Sequence, residues 1–578
     1  MHPHRPLCNF HVSFYINIRP MYFKFKSSLP FILWGIFASI WMIHPAQAQD
    51  KNNLERPKLV VGIVVDQMRW DYLYRYYDRY GTGGFKRMLN EGFSAENTMI
   101  DYVPTVTAIG HSTAYTGSVP AIHGIAGNDF IVQATGETMY CAEDHTVETV
   151  GSASDAGKMS PKNLLASTMT DELKLATNFR SKVIGVAIKD RGSILPAGHV
   201  ADAAYWYDGS TGDFISSTYY MESLPKWVQE FNAKKLPEQY LNQNWNTLYP
   251  IDTYLQSTDD NTPFEGKYPG TDAPVFPVPT AKILKEKGPG IISSTPYGNT
   301  LTTQMAMAAI EHEQMGQDAI TDFLAVSFSS TDYVGHQFGP NAIEVEDTYL
   351  RLDKDLEDLF NYLDAHVGKG AYTVFLTADH GGAHNATFMQ DHRLPSGTFA
   401  SGKALKALNQ TLETQFGSPD LVKSLMNYQV HFNHALIQDK GLDLEQVKKT
   451  SIAALKKVSG VAYVVDMERV AEASIPKRIA ERIINGYHHE RSGSVQIILE
   501  PGWYSSNSDR PTGTTHSSWN PYDSHIPLVF MGWGVRQGST SRITHMTDIA
   551  PTIAALLHIQ QPNGCIGNSI TELIEVEQ

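Results

Sequence analysis

The sequence predicts an α/β fold: a doubly wound, mostly parallel central sheet flanked by helices, with inserted cap or flanking regions. Three observations predict it. Five short apolar runs are nearly continuous rather than alternating, as strands covered on both faces should be. Amphipathic helical patterns lie between them. Asp and His residues cluster at one end of most of these runs, and open α/β sheets bind ligands beyond the carboxyl ends of their strands.

The strand candidates are LVVGIVV (59–65), KVIGVAI (182–188), DFLAVSF (322–328), AYTVFLT (371–377) and IPLVFMGW (526–533). The clearest helix runs from Ala342 to Val367, where Tyr349, Leu352, Leu356, Leu359, Phe360 and Leu363 recur at spacings of three and four. Two regions interrupt the alternation. Residues 200–300 are rich in Tyr, Trp, Asn, Pro and Gly, and residues 383–510 carry a separate set of helices and a strand, SVQIIL. Both read as insertions that cap or flank the sheet of one catalytic domain spanning 49–578.

The chain has 578 residues and a formal charge of −15. That balance argues against nucleic acid as an obligate partner, because phosphate backbones need a positive surface. Lys24 and Lys26 precede the apolar run LPFILWGIFASIWMI and the small residues Ala46 and Ala48. This is the order of a secretory signal peptide over residues 1–48, cleaved after Ala48, with Met21 an alternative start. The expectation is a periplasmic or secreted protein without a stable membrane anchor, taken as a monomer. Loss of the leader's four basic residues takes the charge to −19. Only Cys141 and Cys565 then remain, and their separation does not establish a disulfide. No Cys-x-x-Cys motif exists, so any metal site must use Asp, Glu and His.

Polar residues at the strand ends are specific. Asp66 follows the first run, and Lys189, Asp190 and Arg191 follow the second. Asp332 and His336 follow the third, Asp379 and His380 the fourth, and His516 and His525 precede the fifth. Singly, each reads as a cap, a turn residue or a packed histidine. Together, random capping would not supply six ligands on one rim. Three Asp and three His suit Zn²⁺. Two metals about 4 Å apart can hold the attacking and leaving oxygens of an in-line phosphoryl displacement.

The order VVDQ, TVTAIGHS…SVPAIHGIAGN, KDR, STDYVGH, TADHGG and THSS…YDSHIPLVFMG resembles the alkaline phosphatase superfamily. It is most similar to the bacterial secreted zinc-dependent alkaline phosphatases with a threonine nucleophile. The resemblance runs from about Pro57 to the C-terminus. It implies two zinc ions, one held by Asp332, His336 and His516, the other by Asp66, Asp379, His380 and the nucleophile oxygen. It puts the nucleophile at Thr107, with Thr105 the main rival. Asn128 would donate to a phosphate oxygen, and Lys189 and Arg191, read as alternating residues of an extended segment, would clamp it.

The resemblance thus implies hydrolysis of small phosphate monoesters through a phosphothreonine, releasing inorganic phosphate. A monoester carries nearly two negative charges, which Lys189 and Arg191 match. A diester carries one and gains less. The alternative is a nucleotide pyrophosphatase or phosphodiesterase on the same scaffold. The Cys/Ser-x-Pro-x-Arg motif of sulfatases is missing around Thr107. One departure from the family pattern is Ser517, where relatives commonly have Gly; it leaves the backbone after His516 open.

Overall fold

The computed structural model of the chain describes residues 54–574. The expected signal peptide, its cleavage after Ala48 and the Met21 start lie outside the described residues. From Arg56 onward the chain forms one compact unit.

The first part of the chain supplies eight strands to one sheet: the short strand Thr149–Val150 and β1 (Leu59–Val65), β2 (Phe93–Met99), β3 (Val183–Ala187), β4 (Ala203–Asp208), β5 (Asp213–Ser217), β6 (Asp322–Phe328) and β7 (Tyr372–Thr377). Next, β8 (Val422–Ser424), β9 (Gln429–Phe432), β10 (Val461–Asp466) and β11 (Val495–Leu499) make a separate antiparallel sheet in the order β8-β9-β11-β10. The chain then returns to the large sheet with β12 (His525–Ile526), β13 (Leu528–Gly532) and β14 (Gly538–His545). The large sheet runs β12-β2-β13-β7-β1-β6-β3-β4-β5 and ends on the short strand Thr149–Val150, with β14 paired to β2.

The centre, β7-β1-β6-β3-β4, is parallel. Strands β1, β3, β6 and β7 are buried at every position, which is why their apolar runs do not alternate. The expected run IPLVFMGW is broken at Pro527, which has no N–H to give a ladder. The expected helix over 342–367 appears as an α-helix from Ile343 to Leu363 and a π-turn over Asp364–Gly368. The region 200–300 begins as sheet, because β4 and β5 form an antiparallel pair, and leaves it only afterwards. Cys141 and Cys565 are both free thiols. No helix among the described residues is long and apolar enough to cross a membrane.

Register brings the strand ends level. Val64 of β1 pairs with Thr377 and Val65 with Phe328, while Ala187 pairs with Ser327. The residues just past these strands therefore emerge on one rim. Strand β13 runs antiparallel to β7, with Leu528 opposite Thr377, so its beginning lies at that same rim. The stretch ahead of it, which carries His516, is delivered there too.

Gly62 lies in the most central strand. A Cβ there would come within 2.2 Å of the Tyr115 hydroxyl and 2.6 Å of the Phe375 ring. Gly62→Ala is expected to lose about 1–3 kcal/mol of stability by overpacking, measurable by denaturant unfolding.

Candidate active site

The helix α1 (Thr107–Thr116) begins at Thr107, with Val106 in extended conformation before it. Thr107 is buried at the positive end of this helix, where unpaired backbone N–H groups favour an anion. Asn128 accepts a hydrogen bond from the Ala108 N–H through its side-chain oxygen at 2.9 Å, which leaves its NH₂ group as the remaining donor. The rival Thr105 spends its hydroxyl on the Ser518 carbonyl at 3.0 Å. Gly110 lets the helix approach the strand end. A Cβ on it would sit 2.3 Å from the Asp379 carbonyl oxygen.

Asp66 and Asp379 follow β1 and β7. Asp332 and His336 lie one turn apart on α3 (Ser330–Phe338), which starts directly after β6. His516 comes from the stretch before β12. Ligand atoms of Asp66, Asp379 and His380 lie within 4.8 Å of one another, and so do those of Asp332, His380 and His516. His336 joins the second set through Asp332, its Nε2 being 3.2 Å from Oδ1.

Each histidine is oriented by a backbone carbonyl on Nδ1: Thr514 for His336 at 2.9 Å, Gly381 for His380 at 2.9 Å and Thr105 for His516 at 2.6 Å. The proton is thereby fixed on Nδ1, and Nε2 presents a lone pair. Burial keeps His380 and His516 below the usual imidazole range, in the neutral form that ligates. Burial also works against charge on His336, but Asp332 wins and raises it.

Three acceptors converge with nothing to satisfy them. Asp66 Oδ1, Asp379 Oδ2 and His380 Nε2 are buried and lack any hydrogen-bond partner. His380 Nε2 lies 3.7 Å from that Asp66 oxygen and 3.5 Å from that Asp379 oxygen. Burial and the neighbouring Asp66 carboxylate push Asp379 well above the usual carboxylate range. Such a donor set calls for a cation, and its carboxylate–imidazole chemistry fits a transition metal of the zinc type.

Lys189 neutralises part of this charge. Its Nζ lies 2.6 Å from both Asp66 Oδ2 and Asp332 Oδ2. Burial opposes the charge on Asp332, yet His336 and Lys189 hold it well below the usual carboxylate range. The expected extended Lys-x-Arg segment is not what forms. Lys189 is the last extended residue, and helix α2 (Asp190–Ala197) starts immediately after it, so Arg191 projects from a first turn. Arg191 Nη1 donates to the Tyr140 hydroxyl at 3.0 Å, and that hydroxyl donates to Asp190 Oδ1 at 2.5 Å.

Further residues complete the surroundings, of which Gln67 and Tyr140 were not foreseen from the sequence. Gln67 donates to Asp332 Oδ1 at 2.5 Å through its side chain and to Asp379 Oδ1 at 3.1 Å through its backbone. Its adjacency to Asp66 was the available signal. Tyr140 had none, because only folding brings it to Arg191. His111 bridges the Thr107 carbonyl and the Ser327 hydroxyl, and burial pushes it down to about 4. His525 stays out of the centre, stacked on Trp70 and bonded to the Glu96 carbonyl. Ser517 adopts φ +90°, a conformation glycine takes at less cost.

Similarity to known proteins places the chain in a family. Residues 60–523 match the family model described as type I phosphodiesterase / nucleotide pyrophosphatase. A Myroides odoratus protein named calcium-transporting ATPase is 62% identical, covering 90% of this chain and 95% of its own length. The alkaline phosphatase PafA of Elizabethkingia meningoseptica is 55% identical over 91% of this chain and 96% of its own. Alkaline phosphatase PhoV of Synechococcus elongatus is 55% identical over 90% and 93%. The crystal structure of wild-type PafA superposes with a TM-score of 0.89 at 56% identity, covering 91% of this chain and all of that one.

Gly110→Ala should push α1 away from Asp379. The expected result is a drop in bound metal and in turnover, with about 1–3 kcal/mol lost from stability. Metal analysis beside thermal unfolding checks it.

Proposed function

This chain belongs to the type I phosphodiesterase / nucleotide pyrophosphatase family of the alkaline phosphatase superfamily, and on that premise we propose that it hydrolyses phosphate monoesters through a phosphothreonine at Thr107. Phosphate monoester hydrolysis is the activity for which its 55% identical relatives, PafA and PhoV, are named. The observation that carries the finer reading is a threonine heading a helix beside a convergent, unsatisfied Asp/His donor set.

In this reading, Asp332, His336 and His516 hold one zinc ion, and Asp66, Asp379, His380 and the Thr107 oxygen hold the other. Bound there, zinc supplies the positive charge that makes a threonine hydroxyl a usable nucleophile and offsets charge on the departing oxygen. Thr107 Oγ1 forms a bond to phosphorus as the ester P–O bond breaks in line. The threonine loses its proton, and the departing alcohol gains one from solvent. Water then attacks the phosphothreonine, restoring the hydroxyl and releasing inorganic phosphate. The α1 N-terminus and the Asn128 NH₂ stabilise the equatorial oxygens.

Arg191, held by Tyr140, and Lys189 match the second charge of a monoester. Lys189 is bound to Asp66 and Asp332, so its reach toward substrate depends on another cation relieving it there. A periplasmic or secreted site of action is part of the reading, on the leader-like composition of residues 1–48, as is a monomeric state.

The test is metal analysis of purified protein with rates on an aryl phosphate monoester and a matched diester. About two zincs per chain and a strong monoester preference are expected. Thr107→Ala should lower monoester turnover roughly 10³-fold or more. Removing Lys189 and Arg191 together should cost monoester hydrolysis about 10²-fold and spare the diester. Equal or faster diester cleavage, indifferent to that pair, would move the enzyme to the phosphodiesterases.

A further inference from the structure

Two histidines at the heart of the site are joined behind their donor atoms by a chain of hydrogen bonds, and that chain passes through Asp523. His380 and His516 stack with ring centroids 3.6 Å apart and planes 15° from parallel. Their Nδ1 atoms are held by the Gly381 carbonyl at 2.9 Å and the Thr105 carbonyl at 2.6 Å. From there both paths lead to one aspartate. Gly381 donates its N–H to the Asp523 carbonyl at 2.8 Å. Thr105 donates its hydroxyl to the Ser518 carbonyl at 3.0 Å, and Ser518 donates its N–H to Asp523 Oδ2 at 2.7 Å. Asp523 thus grips the His380 side through its backbone and the His516 side through its side chain.

The packing around Asp523 suits that part. It lies in a single helical turn, Pro521–Ser524, and is 0% exposed. The cations that bear on it are engaged elsewhere, Arg69 with Asp71 and Arg482 with the Trp519 carbonyl, so Ser518 is the group that holds its carboxylate. The turn comes so close to Gly381 that a Cβ there would lie 2.1 Å from the Tyr522 carbonyl oxygen. Ser517, at φ +90°, stands between the two residues that Thr105 bonds, His516 and Ser518. A costly backbone conformation persists only where its surroundings over-determine it, and the grip on Ser518 from both sides supplies that restraint.

We propose that Asp523 is a positioning residue that sets His516 relative to His380, and with it the spacing of the two donor sets. The proposal rests on the two-metal reading above, in which these histidines serve different ions. A ligating imidazole is held only as firmly as the partner behind it. Alanine at 523 leaves the buried Ser518 N–H without an acceptor and releases Ser518, then Thr105, then His516. Asparagine keeps an oxygen for that N–H. The backbone link from Gly381 survives either change, so the loss falls on the His516 side alone.

The experiment titrates metal-free protein with Co²⁺, following the visible absorption of the bound ion and counting cobalt after dialysis. Two cobalts per chain are expected in the wild type. In Asp523→Ala one should bind as before and the other roughly 10–100-fold more weakly, its absorption band being the one missing from His516→Ala. Asp523→Asn should restore both. Thr105→Val cuts the same path one bond further on, keeps the Thr105 backbone carbonyl, and should reproduce the alanine result even if Asp523→Ala fails to fold. Unchanged affinity and spectrum in Asp523→Ala and Thr105→Val overturn the proposal and leave the reading of the centre standing. Equal loss of both cobalts, or no rescue by asparagine, overturns it too. A wild type that binds no cobalt overturns the metal reading and this proposal with it.

Discussion

Everything at the rim of this sheet depends on keeping three buried carboxylates in one place. Asp66, Asp332 and Asp379 sit where water cannot screen them, and their mutual repulsion works against holding them together. Lys189 answers for two of them. The remaining deficit, concentrated on Asp66, Asp379 and His380, is what makes the centre a cation receptor. Gln67 and the three carbonyls behind the histidines hold donors at positions their mutual repulsion would otherwise forbid.

The sheet makes that concentration possible because its central strands end level. Parallel neighbours in register expel their succeeding residues in the same direction, and the antiparallel β13 adds the stretch ahead of it rather than behind it. The second sheet supports this from the side. Trp519 donates to the Leu499 carbonyl and Val103 to the Arg482 carbonyl, so the segments leading to Thr107 and from His516 are braced by the same lobe. Gly486 permits the approach, since a Cβ there would collide with the Val103 carbonyl.

Much of this was legible in the sequence. Buried parallel strands announce themselves as unbroken apolar runs, so β1 and β6 were readable to the residue. The rim residues were legible from where those runs stop. Two things were less so. Local sequence could not tell that the chain coils into a helix at Asp190, because a Lys-x-Arg pair reads equally well as extended. Nor could it place Tyr140 against Arg191, since such a contact exists only once distant segments have packed. Ser517 shows the same limit: its φ is +90°, and serine itself gives little sign of such a backbone.

The donors enter the chain between position 66 and position 516, and the last of them precedes the antiparallel strand that seals the sheet. No contiguous portion emerging from a ribosome can therefore assemble the centre early. The amino-terminal half carries Asp66, Thr107 and Lys189 but lacks every histidine that orients a lone pair toward them. A chain that stops short of position 516 therefore lacks one of the converging donors, so the second donor set closes only when this late stretch has packed onto the rim.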